Sequence, residues 1–451
     1  MTTSGAATAT RRASQLLLLR RIGLMALYVG VAVAPLGLAL LGPHPPGRGF
    51  WVDVAFGLGL VGLSMLGLQF LSVARIARVD APYGIDAVMR YHRQAAYATL
   101  AVVVAHPLLL LTQSAYRTLL DPFDAPARVL WGWAALAAFA VTVVLARYRL
   151  RLRVSYELWR VSHGILAVVV ASAALVHVRS VGAYVAADTW KETAWTVWVV
   201  VFMGLLAYVR VVKPMVRLRR PWLIEEVVPQ PGNTVSLRLR PEGHGGLRFR
   251  AGQFAWITIA GVPFDQHEHP FSISSAATRP ARIEFTVKAL GDFTAGMADV
   301  AGRRAWLEGP YGNFGIGWDS ASHLVLIAGG VGITPIMSIL RTMADLGDRR
   351  RVTVVYGNKT WDTTIFADEL DALTTRLDLH VVHVIEQPHE GWTGRTGFIN
   401  QQLLEELLPV DASGVQCYVC GPPPMMAAVE RALIAARVPP RQIHAELFTF
   451  A

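Results

Sequence analysis

Cysteine is nearly absent: the 451-residue chain has two, Cys417 and Cys420, too few for a disulfide framework or for the four thiolates of an iron–sulfur cluster. Charge is sparse as well, at 16% of residues against 53% hydrophobic, which excludes an ordinary soluble enzyme along the whole length. Acidic residues are the scarcer sign, 32 against 42 Lys and Arg for a net charge of +10. That excess does not point to nucleic acid, because most of it sits in short loops between apolar runs, where it reports topology instead. Polar residues are few in six predominantly apolar stretches of the first half, roughly 22–41, 51–73, 92–113, 129–146, 158–178 and 194–212. Each is long enough to cross a bilayer. No small-residue cleavage site follows the first closely, so it reads as a retained span rather than a removed signal.

Lysine and arginine set the orientation. One side of the membrane receives Arg11, Arg12, Arg20 and Arg21, then Arg75, Arg78, Arg90 and Arg93, then Arg147, Arg149, Arg151, Arg153 and Arg160, and last Arg210, Lys213, Arg217, Arg219 and Arg220. The other side has only Arg48, Arg117, Arg128, Arg179 and Lys191. The positive-inside rule therefore places the N-terminus and everything after the sixth span in the cytoplasm of a multi-pass cell-membrane protein.

Two spans carry paired histidines, His92 and His106 in the third, His163 and His177 in the fifth, each pair fourteen residues apart. At 1.5 Å per residue the members of a pair lie about 21 Å apart along a helix and about 40° apart around it, so both imidazoles leave one face. The third and fifth spans run in the same direction, which brings His92 level with His163 at the inner depth and His106 level with His177 at the outer. A single membrane histidine is often only a packed polar residue; four in two pairs of equal spacing point to a site. Imidazoles facing one another can ligate a flat macrocycle from both sides, leaving a six-coordinate metal suited to electron transfer, and the expectation is two stacked bis-histidine b-type haems. Pro107, directly after His106, removes a backbone donor and is expected to bend the third helix. Arg90, Arg93 and Arg160 near the inner pair, with Arg179 near the outer, are candidates for the haem propionates.

After RLRRP at 217–221 the pattern changes to strands. TVSLRLR (234–240) and parts of GQFAWITIAG (252–261) and RIEFTVKAL (282–290) alternate apolar and polar residues between glycine and proline turns, which predicts an antiparallel barrel over 222–318. From 319 the rhythm is βαβ: HLVLIA, VTVVYG, LHVVHVI, VQCYVC and QIHAELF alternate with helices beginning near Pro335, Thr364, Ile399 and Pro424. This predicts a doubly wound α/β nucleotide domain over 319–451. The turn AGGVGITP (328–335) has the glycines that let a backbone approach a pyrophosphate at a helix N-terminus, though it departs from the full GxGxxG fingerprint. Cys417-x-x-Cys420 also has the spacing of a thioredoxin-like dithiol. The whole is a multidomain membrane protein: a cytoplasmic segment at 1–21, a six-helix transmembrane bundle at 22–221, and two further domains.

HPFSISS (269–275), KALGDFT (288–294), EGPYG (308–312), AGGVGITP (328–335) and YVCGPPPMM (418–426) resemble, in order, the flavin and nicotinamide signatures of the ferredoxin-NADP reductase superfamily. The variant is that of NADPH oxidases and ferric reductases, whose membrane domain the paired histidines also resemble. The resemblance implies that Pro270, Phe271 and Ser272 line the isoalloxazine of FAD, with the Ser272 hydroxyl near the nitrogen that receives hydride. His269 stands where related reductases often have an arginine. Lys288, Gly291 and Thr294 belong to the pyrophosphate segment. Gly330, Gly332 and Thr334 are implied to meet the nicotinamide nucleotide, and Cys420 and Gly421 the nicotinamide ring. Lys359 and Arg395 are candidates for the 2′-phosphate of NADPH, since no acidic residue marks the end of the second strand. Phe448 or Phe450 is implied to shield the flavin.

The two halves imply one activity: electrons from cytoplasmic NADPH pass through FAD and two haems to an acceptor outside, dioxygen or a ferric chelate. A membrane electron donor to an extracytoplasmic redox protein is the reading of a different class. Electron export from a negative interior is electrically downhill, by up to about 2.3 kcal/mol per 100 mV crossed.

Overall fold

The computed structural model describes residues 3–41, 46–76, 85–117, 121, 123–182, 184–185, 188–259, 262, 264, 267–315, 321–409 and 414–446. They divide into two compact units, one of residues 16–213 and the other of residues from 214 onward together with those up to Gln15.

The first unit is helical: α1 Thr3–Leu40, α2 Phe50–Val73, α3 Ile85–Leu111, α4 Ala127–Tyr148, α5 Tyr156–Val181 and α6 Thr189–Ala207. Among the described residues, six helices are long and apolar enough to cross a membrane, within a few residues of the sequence expectation. Apolar side chains such as Leu27, Ile165 and Val200 stay exposed on the bundle, as contact with lipid requires. The pairs α2/α3 and α4/α5 pack most intimately. Glycine sets the approach: a Cβ at Gly62 of α2 would come within 2.7 Å of Val103 on α3, and one at Gly67 within 2.7 Å of Phe202 on α6. Helix α5 begins where the Ser155 hydroxyl accepts the Leu158 N–H and ends at Gly182, whose φ of 69° is left-handed. Helix α3 runs through Pro107 to Leu111 without interruption.

The second unit holds two sheets. The first is antiparallel, with strands β1 Trp222–Gln230, β2 Thr234–Pro241, β3 Phe254–Ile259, β4 Glu268–Ser272, β5 Ile283–Lys288 and β6 Arg304–Tyr311 in the order β4-β3-β6-β1-β2-β5. Its alternating residues, among them Ile224, Leu237, Ile257 and Phe285, form one fully buried core. The edge strands β4 and β5 meet through a single bridge, Ile273 to Phe285. Beside that bridge the Ser274 N–H donates to the Glu284 carbonyl at 2.8 Å; the described residues thus form a six-stranded antiparallel sheet whose edges meet briefly, where an antiparallel barrel was expected.

The second sheet is parallel, β7 His323–Gly329, β8 Arg351–Asn358, β9 Leu379–Ile385, β10 Arg395–Thr396, β11 Val415–Cys420 and β12 Ile443–Ala445, in the order β10-β9-β8-β7-β11-β12. The two-residue β10 adds a sixth strand to the five read from sequence, too short to show alternation. Helices α7 Ile333–Leu346 and α8 Ala367–Leu373 cover one face; α9 Gln401–Leu407 and α10 Pro423–Ala435 cover the other. The sheet is doubly wound, and its order reverses between β7 and β11. A ligand crevice belongs at the carboxyl ends of those two strands.

Candidate functional site

The helical unit brings the four histidines into the two expected pairs. The ring centroids of His92 and His163 are 6.4 Å apart, and so are those of His106 and His177. A metal held between two imidazole nitrogens at about 2.0–2.1 Å each, with about 1.1 Å more to each ring centre, places the centroids about 6.3 Å apart. The spacing fits one metal per pair. No cluster of three or more protein ligands occurs among the described residues, so such a metal needs its remaining ligands from a macrocycle.

The outer pair is oriented for this. His106 Nδ1 donates to the Ala55 carbonyl of α2 at 2.7 Å and His177 Nδ1 to the Arg128 carbonyl of α4 at 2.7 Å. A carbonyl only accepts, so each Nδ1 carries the proton and each Nε2 keeps its lone pair. Gly59 and Gly132 leave room for the rings: an added Cβ would stand 3.1 Å from His106 Nδ1 and 2.9 Å from His177 Nδ1. Between them lies a cavity of about 460 Å³, walled by residues such as Leu63, Phe139 and Val170, in the range of small-molecule sites. These residues fit a bis-histidine haem. At the inner level, His92 Nδ1 donates to Ser72 Oγ at 2.9 Å, and that hydroxyl donates to the Gln69 carbonyl at 2.7 Å. His163 packs on Trp159 at 5.3 Å, and its buried Nδ1 has no hydrogen-bond partner among the described residues.

The propionate candidates change at the outer site. Arg179, the outer candidate read from sequence, is turned to Glu192, 2.8 Å away. The cations lining the outer cavity are Arg48 and Arg128, which loop counting registered only as topology charges. Tyr184 lines the same end, its hydroxyl donating to Asp53 at 2.8 Å.

In the second unit the flavin signature is the edge strand β4, paired to β3 with Ser272 opposite Phe254 and Pro270 opposite Trp256. Strand alternation sends Pro270 and Ser272 to one face and His269 and Phe271 to the other. On the latter, the Phe293 ring stacks on His269 at 3.8 Å and lies parallel to Phe271 at 6.4 Å. Ser272 is buried. Lys288 ends β5 opposite Thr234. The Thr294 hydroxyl accepts the Leu290 and Gly291 N–H groups at 2.8 and 3.0 Å, so it shapes its own loop.

At the switch point the glycines are demanded by sterics. A Cβ on Gly332 would lie 2.3 Å from the Cys420 carbonyl oxygen, and one on Gly421 would lie 3.1 Å from the Gly329 nitrogen. Gly330 has a φ of 52°, a left-handed conformation that suits glycine. The Thr334 hydroxyl donates to the Val331 carbonyl at 2.9 Å, closing the turn ahead of the α7 N-terminus. Gly332→Ala is expected to weaken nicotinamide-nucleotide binding at least about tenfold, or about 1.4 kcal/mol, measured by fluorescence titration.

Glu446, a carboxyl directly after the final strand, is a residue that sequence reading overlooked. It is buried, and a Cβ on Gly312 would stand 2.5 Å from its Oε1. Burial, and then the Glu446 charge, push the Cys420 thiol up; burial pushes Cys417 up to about 12. Cys417 belongs to the core on one face of the sheet and Cys420 to the core on the other. A strand sends side chains three residues apart to opposite faces, which rules out the dithiol. Arg395 is paired with Glu406 at 2.6 Å, whereas Lys359 is exposed beyond β8. Phe448 and Phe450 lie outside the described residues.

The ferric reductase like transmembrane component matches residues 58–174, the FAD-binding domain 220–314 and the oxidoreductase NAD-binding domain 326–431. NADH-cytochrome b5 reductase 1 of Kluyveromyces lactis is 35% identical over 209 residues, covering 42% of this chain and 74% of that protein. The corresponding reductase of Pyricularia oryzae is 31% identical, with 39% and 64% covered. The reductase component of propane 2-monooxygenase of Rhodococcus jostii is 29% identical, with 50% and 62% covered; the chain thus spans a little under two thirds of these last two relatives. Among solved structures, an Amycolatopsis cytochrome P450 reductase aligns with a TM-score of 0.46 at 25% identity, covering 51% of this chain and 70% of that one. The histidine-bearing helices, the flavin-binding sheet and the doubly wound nucleotide sheet, matched in order along one chain, make it a multi-pass membrane oxidoreductase that belongs to the ferric reductase-like transmembrane family, fused to a ferredoxin-NADP reductase-type FAD and NAD module.

Proposed function

We propose that this chain carries electrons from NADPH in the cytoplasm across the membrane to dioxygen outside, yielding superoxide. The observation that carries the reading is the pair of 6.4 Å imidazole spacings on two shared helices. When bound, FAD takes up hydride from the nicotinamide, and the two haems relay single electrons. The residues supply binding, orientation and exclusion of water. His92, His163, His106 and His177 hold the two metals; Arg48 and Arg128 offer guanidinium donors at the outer cavity. Ser272 presents a hydroxyl toward the flavin ring, and buried Cys420 and Glu446 stand beside the nicotinamide crevice in a water-poor environment. With His106 and His177 both holding it, a bound outer haem would have no open metal position, and the residues at the cavity mouth would have to place the acceptor against its edge. NADPH is the proposed donor because Lys359 is exposed at the carboxyl end of β8 and the last residues of that strand, Gly357 and Asn358, are not acidic; Lys359→Ala is expected to lower the NADPH preference, read as the ratio of kcat/KM for NADPH and NADH.

The match to a ferric reductase-like component favours a second reading, in which the same outer edge reduces a ferric chelate. Purified, haem-loaded protein supplied with NADPH separates them. Cytochrome c reduction abolished by superoxide dismutase supports dioxygen; its absence beside rapid ferric-chelate reduction overturns it in favour of the second reading. Ser272→Ala and Glu446→Gln are each expected to slow flavin reduction by NADPH at least about tenfold, within the range for a positioned hydrogen-bonding or proton-transfer group, in stopped-flow absorbance.

A further inference from the structure

We propose that Arg217 is a positioning residue for electron transfer: it seats the helical turn that leaves the sixth span on the flavin sheet, and the passage of electrons to the inner histidine pair depends on that seating. The inference rests on the reading that electrons pass from a flavin to two haems. Arg217 Nη2 lies 3.2 Å from Glu308 on β6, and Nη1 lies 3.5 Å from Glu268 on β4. The three side chains are 11%, 8% and 5% exposed. Glu308 stands opposite Trp256 and Glu268 opposite Thr258 on β3, so the two carboxylates flank one strand and share a face of the sheet. The Tyr311 hydroxyl donates to Glu308 at 2.8 Å. A buried ion pair adds little stability, because desolvation offsets attraction, but it is directional. A guanidinium fork that must reach carboxylates on two strands has one seating.

The position of Arg217 along the chain gives the contact its role. Helix α6 runs on through a π-helical turn, Tyr208–Val212, into a last α-helical stretch, Lys213–Leu218. Pro214 has no N–H for the Arg210 carbonyl, which accounts for the widened turn before it. Lys213 Nζ donates to the Ala74 and Arg75 carbonyls at 3.1 and 3.0 Å, where the end of α2 leaves carbonyls without helical partners. Arg217 follows four residues later on the same helix face. Each cation holds its own unit, and only Pro214, Met215 and Val216 stand between them. Further on, Arg220 donates to the Gly246 carbonyl at 3.0 Å, and the Pro221 carbonyl accepts the Glu242 N–H at 2.9 Å. Arg217 is therefore the attachment to the sheet that lies nearest the span.

The test is anaerobic stopped-flow mixing of NADPH with the full-length protein loaded with FAD and haem, following flavin bleaching and the ferrous haem bands together. Each hydride brings two electrons, which reduce two ferric ions to ferrous and leave one proton in solution. Arg217→Met is expected to leave flavin bleaching within about twofold and to slow haem reduction at least about tenfold, since misplacement by about 1 Å can cost about 100-fold in rate. Arg217→Lys, which keeps the charge without the fork, is expected to fall between. Amide hydrogen exchange, read by mass spectrometry, is expected to rise at least about tenfold across 215–221 in Arg217→Met and to stay unchanged in the nucleotide domain. Equal slowing of flavin and haem, unslowed haem reduction, or unchanged exchange across 215–221 overturns the inference and leaves the electron reading standing. If Arg217→Met loses its flavin and does not fold, Arg217→Lys decides alone by the same ratio of rates. Wild-type protein whose flavin bleaches with NADPH while its haem bands stay oxidised overturns the electron reading itself, and the inference with it.

Discussion

Replacing His177 with alanine is expected to remove one of two b-type haems and to lower NADPH-driven reduction of the extracytoplasmic acceptor at least about 100-fold. Losing even an outer-shell partner of a metal ligand commonly costs 10–100-fold, and His177 is proposed as the ligand itself. The imidazole is held by the Arg128 carbonyl at 2.7 Å and shaped to the space over Gly132, so no neighbouring side chain can take its place. A haem-content assay should read about half the wild-type value, and quinol- or dithionite-reduced spectra should keep the inner bands. Ferricyanide reduction on the same preparation reports separately on the flavin half. Full haem content with unchanged acceptor reduction would exclude His177 as a ligand.

The second large effect concerns the reductase unit. Arg341 of α7 forms a bidentate pair with Glu369 of α8 at 2.6 and 2.7 Å, reaches Glu284 of β5 at 2.6 Å and donates to the Ser274 carbonyl at 2.9 Å. Its guanidinium stacks over Phe366 at 5.0 Å. One side chain therefore ties the flavin sheet to the nucleotide domain. The Arg341 and Glu284 side chains are 18% and 11% exposed, so Arg341→Met leaves a buried carboxylate with only Arg238 and Ser274 as partners. Removing one partner of a buried pair costs about 3–5 kcal/mol; the lower end applies because Glu369 is 37% exposed. In a unit of this size about 3 kcal/mol lowers the thermal midpoint by about 6–12 °C, measured by flavin-fluorescence melting. A shift under about 2 °C would show that the network contributes little.

The same network carries a pH dependence. Burial alone would raise the Glu284 carboxyl, but Arg341, Arg238 and Ser274 together hold it below its ordinary value of 4.5. A folded pKa below the unfolded one stabilises fully above the unfolded value and is lost as pH falls through the folded one. The wild-type unit should keep this contribution down to about pH 4.5 and lose it below. In Arg341→Met the acid-induced loss should begin at higher pH.

Much of this molecule is written along the chain. The six spans, the change of rhythm near 221, the barrel-like strands and the βαβ alternation were all legible, because hydropathy and period are local properties that each segment must satisfy by itself. So was the pairing of His92 with His163 and His106 with His177, which follows from helix rise and loop charge without any contact being known. The strands of the flavin sheet were legible too, but their closure was not: only the register of β4 against β5 decides whether edges join at one bridge or along a ladder.

Other features needed the third dimension, because they depend on neighbours distant in sequence. Arg179 looked like the outer-site cation, yet rotation of α5 gives it to Glu192, and Arg48 and Arg128 line the cavity from other helices. Cys417 and Cys420 share a spacing that a helix would place on one face and a strand divides between two cores. Glu446 has no motif around it, and only the return of the chain beside Gly312 and Cys420 gives it a role. Above all, the carbonyl acceptors of the two outer Nδ1 atoms, on His106 and His177, could not be read from spacing. A carbonyl is present at every residue of a helix, and which one an imidazole meets is settled by where a glycine on the neighbouring helix lets the ring come close.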